Sequence, residues 1–172
     1  MVKTVALALV ALATVACGGS TTVPFTDSDR TAIADSVLAG MRSYEAAIKA
    51  LDVQKTVGHY TTAFRAIENE EVYSFEEWTG LVQEMLGSLR AYDGGFGEIH
   101  VNVLDRDVAL ADAPFLDVFT DSAGVVTRLK GTVTWVWVRT PEGWRIIHGH
   151  AYAVPDTTSV QTSGPTDGGG GR

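Results

Sequence analysis

The 172-residue sequence carries 21 acidic and 13 basic side chains, a formal net charge of −8. A surface of that sign disfavours nucleic acid or anionic lipid as a partner of the folded domain. The single cysteine excludes an internal disulfide, and a 45% hydrophobic content is enough for one substantial core.

Met1, Val2 and Lys3 give a small cationic start, and Val5 to Val15 is apolar apart from Thr14. That run is too short to span a bilayer and suits the core of an export signal, so residues 1–16 are expected to be a signal peptide. It ends at Thr14-Val-Ala-Cys17-Gly-Gly-Ser. The segment resembles a bacterial lipoprotein signal, cut before a cysteine that becomes lipidated. Ala16 and Cys17 match that pattern, and Thr14 stands where leucine is usual. The resemblance implies a lipid anchor at Cys17 that holds the protein to a membrane of the cell envelope, each acyl chain adding about 0.8 kcal/mol per buried methylene. The alternative is an ordinary secretory signal cut after an Ala-x-Ala-like site, which would leave a soluble secreted or periplasmic protein. Losing residues 1–16 removes Lys3 and no acid, leaving 12 basic and 21 acidic side chains, a net charge of −9. Residues 17–26 read as a tether, 27–154 as one folded domain.

Helix signals fill the first half of the domain. Asp27 or Ser28 can cap a helix running to about Leu51, whose apolar stripe is Ile33, Val37, Met41, Tyr44, Ile48 and Leu51. Asp52 to Tyr60 reads as a second, short helix capped by Asp52. Phe64-Arg-Ala-Ile67 is a short strand, Glu68-Asn-Glu-Glu71 a polar turn, and Val72-Tyr73 the start of a return strand. Ser74 and Glu77 fit a capping box. The helix that follows should carry Trp78, Leu81, Val82, Met85, Leu89 and Tyr92 on one face, and Asp93-Gly-Gly95 should end it.

From there the pattern is β. Ile99 to Leu104, Val108 to Phe119, Val125 to Val138 and Trp144 to Val154 alternate as strands, joined by short turns into an antiparallel meander. Ala113-Pro114 predicts a bulge or an edge, because proline donates no ladder hydrogen bond. In the last hairpin a Thr140-to-Gly143 loop would pair Arg139 with Trp144, Trp137 with Ile146 and Trp135 with His148. One face would then gather Trp135, Trp137, Ile146, His148 and His150 as a core or pocket wall. Pro155 to Arg172 is low in bulky apolar groups and is expected to be a disordered tail. Three helices followed by a bent sheet is an α+β arrangement.

This order of elements resembles the nuclear transport factor 2-like superfamily, and within it the SnoaL-like branch, across essentially all of 27–154. Two stretches carry the resemblance: His59-Tyr60 through Phe64-Arg-Ala-Ile67 and Val72 to Trp78, and the closing Gly143-Trp-Arg-Ile-Ile-His-Gly-His150. It implies a cone-shaped, cystatin-like/SnoaL-like fold, with three N-terminal helices packed on a curved antiparallel sheet and a hydrophobic pocket at the wide end. The same fold hosts ketosteroid isomerase, scytalone dehydratase, limonene epoxide hydrolase, polyketide cyclases and binding domains without catalysis. Function must therefore be argued from the site.

Imidazole as a side-chain type suits proton transfer near neutral pH, so His148 and His150 are the sharpest candidates for a general acid or base, with Tyr60 as partner. A structural histidine at the sheet mouth is the bland reading of the same residues. His-x-His supplies only two metal ligands, and nothing ties His59 or His100 to the pair, so no metal and no cofactor is expected. Glu68, Glu70 and Glu71 fall in or beside a polar turn, where solvent should keep them ordinary. Asp112 and Asp117 lie on one long strand, and one of them could point inward. No tyrosine–aspartate pair is evident where an isomerase would hold it. Asp105-Arg-Asp107 reads as a turn, and Arg139 and Arg145 as solvated hairpin charges.

Tyr60, Phe64, Trp78, Trp135 and Trp137 are candidate pocket aromatics alongside the two histidines, with plain core as the competing role. The favoured expectation is an exported domain that binds a small hydrophobic molecule, or forms a dimer through its sheet, without demonstrable catalysis; the homodimer is what the family resemblance implies. A lyase- or isomerase-like enzyme using His148 or His150 is the alternative, and a protein-binding adaptor is a third.

Overall fold

The computed structural model describes residues 24–157. The expected signal segment, Cys17 and the tail beyond residue 157 lie outside the described residues. The first helix, α1 (Asp27–Lys49), starts one residue earlier than the sequence suggests. Thr26 is the cap: its hydroxyl accepts the Asp29 N–H at 3.2 Å, and Asp29 returns a bond to the Thr26 N–H at 2.9 Å. Ile33, Val37, Met41, Tyr44 and Ile48 form its buried stripe, as their spacing predicts. Leu51 lies beyond the helix, in left-handed backbone at φ 53°. Asp52 caps α2 (Val53–Val57). That helix is shorter than expected because Tyr60 already belongs to β1 (Tyr60–Glu68), which turns back into β2 (Glu71–Ser74). Ser74 and Glu77 then cap α3 (Phe75–Ser88) reciprocally.

The largest departure follows. Residues 89–96 do not continue α3 but form β3 (Leu89–Phe96). Leu89 and Tyr92 do fall at helical spacing from Met85, yet the segment pairs antiparallel with a later strand, from Leu89 opposite Asp121 to Phe96 opposite Phe115. Tertiary pairing wins over a local helical period. The chain continues through β4 (His100–Asp105), β5 (Val108–Asp121), β6 (Val126–Thr140) and β7 (Gly143–Pro155), the meander that the turns predict.

The strand order is β2-β1-β7-β6-β5-β3, with β4 also paired to β5. β1 joins β7 in parallel, so the sheet is mixed and not antiparallel throughout. β5 serves two partners on one side: β4 up to Asp112 and β3 from Phe115. Pro114 sits in the gap between them. Its carbonyl accepts the Gly97 N–H at 2.9 Å, so its missing N–H faces a local edge and costs no ladder bond.

The inner face of the sheet packs on α1 and α3. Along β5 the small Ala109, Ala111 and Ala113 lie beside Trp137, Trp135 and Val133 of β6, alternating small against large. Trp137 is fully buried. Gly40 of α1 lets the helix approach it: a Cβ there would lie 2.9 Å from the indole ring. Among the described residues no helix is long and apolar enough to cross a membrane.

Candidate functional site

A cavity of about 280 Å³ opens between the inner face of the sheet and α1 and α3. Tyr44 and Ile48 of α1, Phe64, Ala66 and Glu68 of β1, and Trp78 and Met85 of α3 line it on the helix side. Tyr92 and Phe96 of β3 and Phe115, Asp117 and Phe119 of β5 line the opposite wall. The floor is Leu129, Val133 and Trp135 of β6 with Gly149, Ala151 and Ala153 of β7. The run of small residues on β7 is what leaves the space. A Cβ at Gly149 would stand 3.0 Å from Trp135 Cδ1 and 3.3 Å from the Phe64 ring.

Two carboxyl groups project into this apolar space. Asp117 accepts a hydrogen bond from the Tyr92 hydroxyl. Burial raises its carboxyl to about 6 against the donor bond from Tyr92, and the charge of Glu68 adds to the rise. Glu68 pairs with Ala151 in the sheet and is itself pushed up by burial. No hydrogen bond or ion pair among the described residues reaches the Glu68 carboxyl, and no Lys, Arg or His lines the cavity. Beside the carboxyl groups, the Tyr60 hydroxyl donates to Tyr44 Oη at 2.8 Å. Desolvation raises both phenols, Tyr60 to about 12, so both stay protonated at physiological pH. Tyr44 links this pair to the cavity, which its side chain lines.

The closing hairpin departs from its expected register. Arg139 faces Trp144 and Trp137 faces Ile146 as predicted, but a bulge after Ile146 sets Val136 opposite His148 and Trp135 opposite Gly149. One extra residue reverses every side chain beyond it. Trp135 therefore shares the inner face with Gly149 and Ala151, while His148 and His150 turn to the outer face. The expected wall of two tryptophans and two histidines does not form. His150 is exposed, His148 is half-buried, and neither lines the cavity.

A SnoaL-like domain profile matches residues 37–156, well over half of the sequence. The chain belongs to the SnoaL-like domain family. The sequence has no match among curated proteins. Solved structures share the fold of this SnoaL-like domain at low identity. A candidate scytalone dehydratase from Novosphingobium aromaticivorans superposes with a TM-score of 0.69 at 9% identity, over 75% of this chain and 89% of that one. A nuclear transport factor 2-like superfamily protein from Salmonella enterica gives 0.65 at 16% identity, over 78% and 99%. A candidate calcium/calmodulin-dependent protein kinase II association domain from Xanthomonas campestris gives 0.61 at 23%, over 70% and 86%.

Of the aromatics singled out in the sequence, Phe64, Trp78 and Trp135 line the cavity of this SnoaL-like domain. Tyr60 and Trp137 stand behind it, Tyr60 in contact through Tyr44 and Trp137 as core. His59 is tied to the Lys55 carbonyl at 2.7 Å and to Ser43 Oγ at 3.0 Å, away from the cavity, and burial lowers its pKa. Glu68 corrects the expectation of an ordinary turn carboxylate, because β1 runs one residue beyond Ile67 and turns Glu68 inward. The helical spacing of Leu89 and Tyr92 from Met85 hides the Tyr92–Asp117 pair, which forms because residues 89–96 are a strand. A signal for the carboxyl groups did exist: Phe64-x-Ala66-x-Glu68 and Phe115-x-Asp117-x-Phe119 each keep the strand period of two. Asp112, at odd spacing from Asp117, belongs to the outer face opposite Thr134. Among the described residues no group of three His, Cys, Asp or Glu side chains is placed to hold a metal ion.

Proposed function

We propose that this SnoaL-like domain binds a small, mostly apolar molecule in the cavity between α1, α3 and the sheet. The observation that carries the reading is the cavity itself: about 280 Å³, walled by aromatic and aliphatic side chains, with Asp117, Glu68 and Tyr44 converging on it. A concave apolar site with a few placed polar groups is the usual form of a small-molecule site. The likeness in fold to a candidate scytalone dehydratase is consistent with it. Native mass spectrometry of protein purified from its own host tests the reading. A retained small molecule, lost when Val133→Trp fills the floor, is the expected result. An empty wild-type protein that takes up no apolar probe overturns it.

A second reading, proton-transfer catalysis of the lyase or isomerase type, draws on one observation. Asp117 is held near 6 in an apolar site, a basicity suited to taking a proton from carbon, with the Tyr44 hydroxyl available to stabilise a developing oxyanion. Asp117 takes the role the sequence offered to His148 or His150. Deuterium exchange from D2O into a bound ketone tests it: exchange should be lost in Asp117→Asn and kept in His148→Ala.

The chain is further proposed to be exported and held at the cell envelope through a lipid on Cys17, the reading that the Ala16-Cys17 junction supports. Mass spectrometry of the mature N-terminus decides this, since an unmodified terminus at or beyond Cys17 excludes the anchor. Pairing of two copies through the outer face of the sheet completes the proposal.

A further inference from the structure

The cavity combines two carboxyl groups and a lining of aromatic rings with a complete lack of basic side chains. This combination discriminates among ligands. An anionic ligand would meet Asp117 and Glu68 with nothing to offset the repulsion. An uncharged hydrocarbon would displace whatever solvates the two carboxylates and offer no hydrogen bond in return. A cation carried on an apolar body meets neither obstacle. Its charge faces the carboxylates, and its surface rests on aromatic faces, which attract cations through their quadrupoles.

We propose that the natural ligand is a hydrophobic amine or quaternary ammonium compound, its cationic head placed between Asp117 and Glu68 and its apolar body against Trp135, Phe64 and Phe96. The inference rests on the binding reading above and specifies the ligand class of that same cavity. Tyr92 fixes one oxygen of Asp117 by its hydrogen bond, which leaves the other for the ligand. Glu68 comes from the far side, on β1, with no competing partner among the described residues. The titratable groups that face the space are Tyr44 of α1, Glu68 of β1, Tyr92 of β3 and Asp117 of β5, and none is a cation at neutral pH. The nearest ion-paired carboxylate, Glu45, is already held by Lys49 at 2.7 Å and Arg42 at 2.8 Å and takes no part.

The test titrates the protein with benzyltrimethylammonium and with neopentylbenzene, its uncharged carbon isostere, at about pH 8, where Asp117 is ionised. Binding is followed by calorimetry and by tryptophan fluorescence. The cation should bind at least about tenfold tighter than the hydrocarbon. In a Glu68→Gln, Asp117→Asn double variant the preference should fall to about threefold or less, with the hydrocarbon affinity retained as the sign of an intact cavity. Each single variant should lose part of the preference. Equal binding of the two probes to the wild type overturns the amine assignment and leaves the apolar cavity standing. A preference that survives in the double variant overturns the role of the carboxylates. Failure of both probes to bind the wild type overturns the binding reading along with this one.

Discussion

Asp117 is where stability and function pull apart. Its carboxyl holds a proton more tightly in the folded protein, at about 6, than the 3.8 of an unperturbed aspartate. Folding therefore takes up a proton between those values. The stabilising contribution is complete below pH about 4 and is lost as the pH rises through 6, so the ionised group costs about 3 kcal/mol at neutral pH. Asp117→Asn removes that cost and still accepts from Tyr92, though as a weaker acceptor. We expect the variant to be more stable than wild type by about 1–2 kcal/mol at pH 8, with the gain vanishing near pH 4. Urea unfolding at both pH values checks the sign, and an equal loss of stability at both would rule the account out. His148 and His150, which the sequence put first, sit on the other face. Their alanine variants should leave ligand affinity within about twofold of wild type in the same titrations. Asp117 and Glu68 were partly legible, since each keeps the two-residue period of its aromatic or apolar neighbours. Tyr92 was not, because its odd spacing from Met85 and Leu89 fits a helix and breaks the strand period of two, which only the irregularity between Leu89 and Ala91 reconciles with one face.

At the scale of elements, turns and caps were readable and pairings were not. Ser74 with Glu77, the Asp52 cap and the short loops between β4, β5, β6 and β7 follow from local chemistry, and the structure keeps them. The β3 pairing and the parallel contact of β1 with β7 depend on residues far apart in sequence, and the bulge after Ile146 on how the closing hairpin packs. No local pattern specifies them. The bulge has the larger consequence, because it sets Gly149 opposite Trp135 and leaves the space that becomes the cavity. Gly149→Val should close part of that space. Its Cβ alone would stand 3.0 Å from Trp135 Cδ1. Overpacking of this kind costs about 1–3 kcal/mol, and ligand affinity should fall at least about tenfold. Thermal unfolding and the hydrocarbon titration measure the two effects together. Unchanged binding with unchanged stability would mean that β7 does not wall the site.

The whole molecule divides its sheet between two tasks. The inner face holds the core and the cavity; the outer face is left to solvent or to a partner. Leu116 of β5, Val126 of β6 and Tyr152 of β7 share that outer face and are 37%, 57% and 56% exposed. Arg128 and Lys130 lie on the same face, and Asp156 takes both charges, at 3.5 Å and 3.3 Å. The two cations stand on the central strand among the apolar residues, Lys130 directly between Leu116 and Val154, and their pairing with Asp156 leaves neither charge uncompensated when the face is covered. Exposed apolar residues grouped on one face favour association, and a twofold pairing of identical faces is the simplest closed arrangement. Sedimentation velocity at about 100 µM should then give a dimer. Leu116→Lys with Tyr152→Lys should weaken it by about 100-fold or more, through buried like charges across the twofold axis. Because both substitutions lie on the far side of the sheet from Asp117, the affinity for either probe should stay within about twofold of wild type. A wild-type monomer at that concentration would remove the pairing, and a dimer indifferent to the two lysines would move it to another surface.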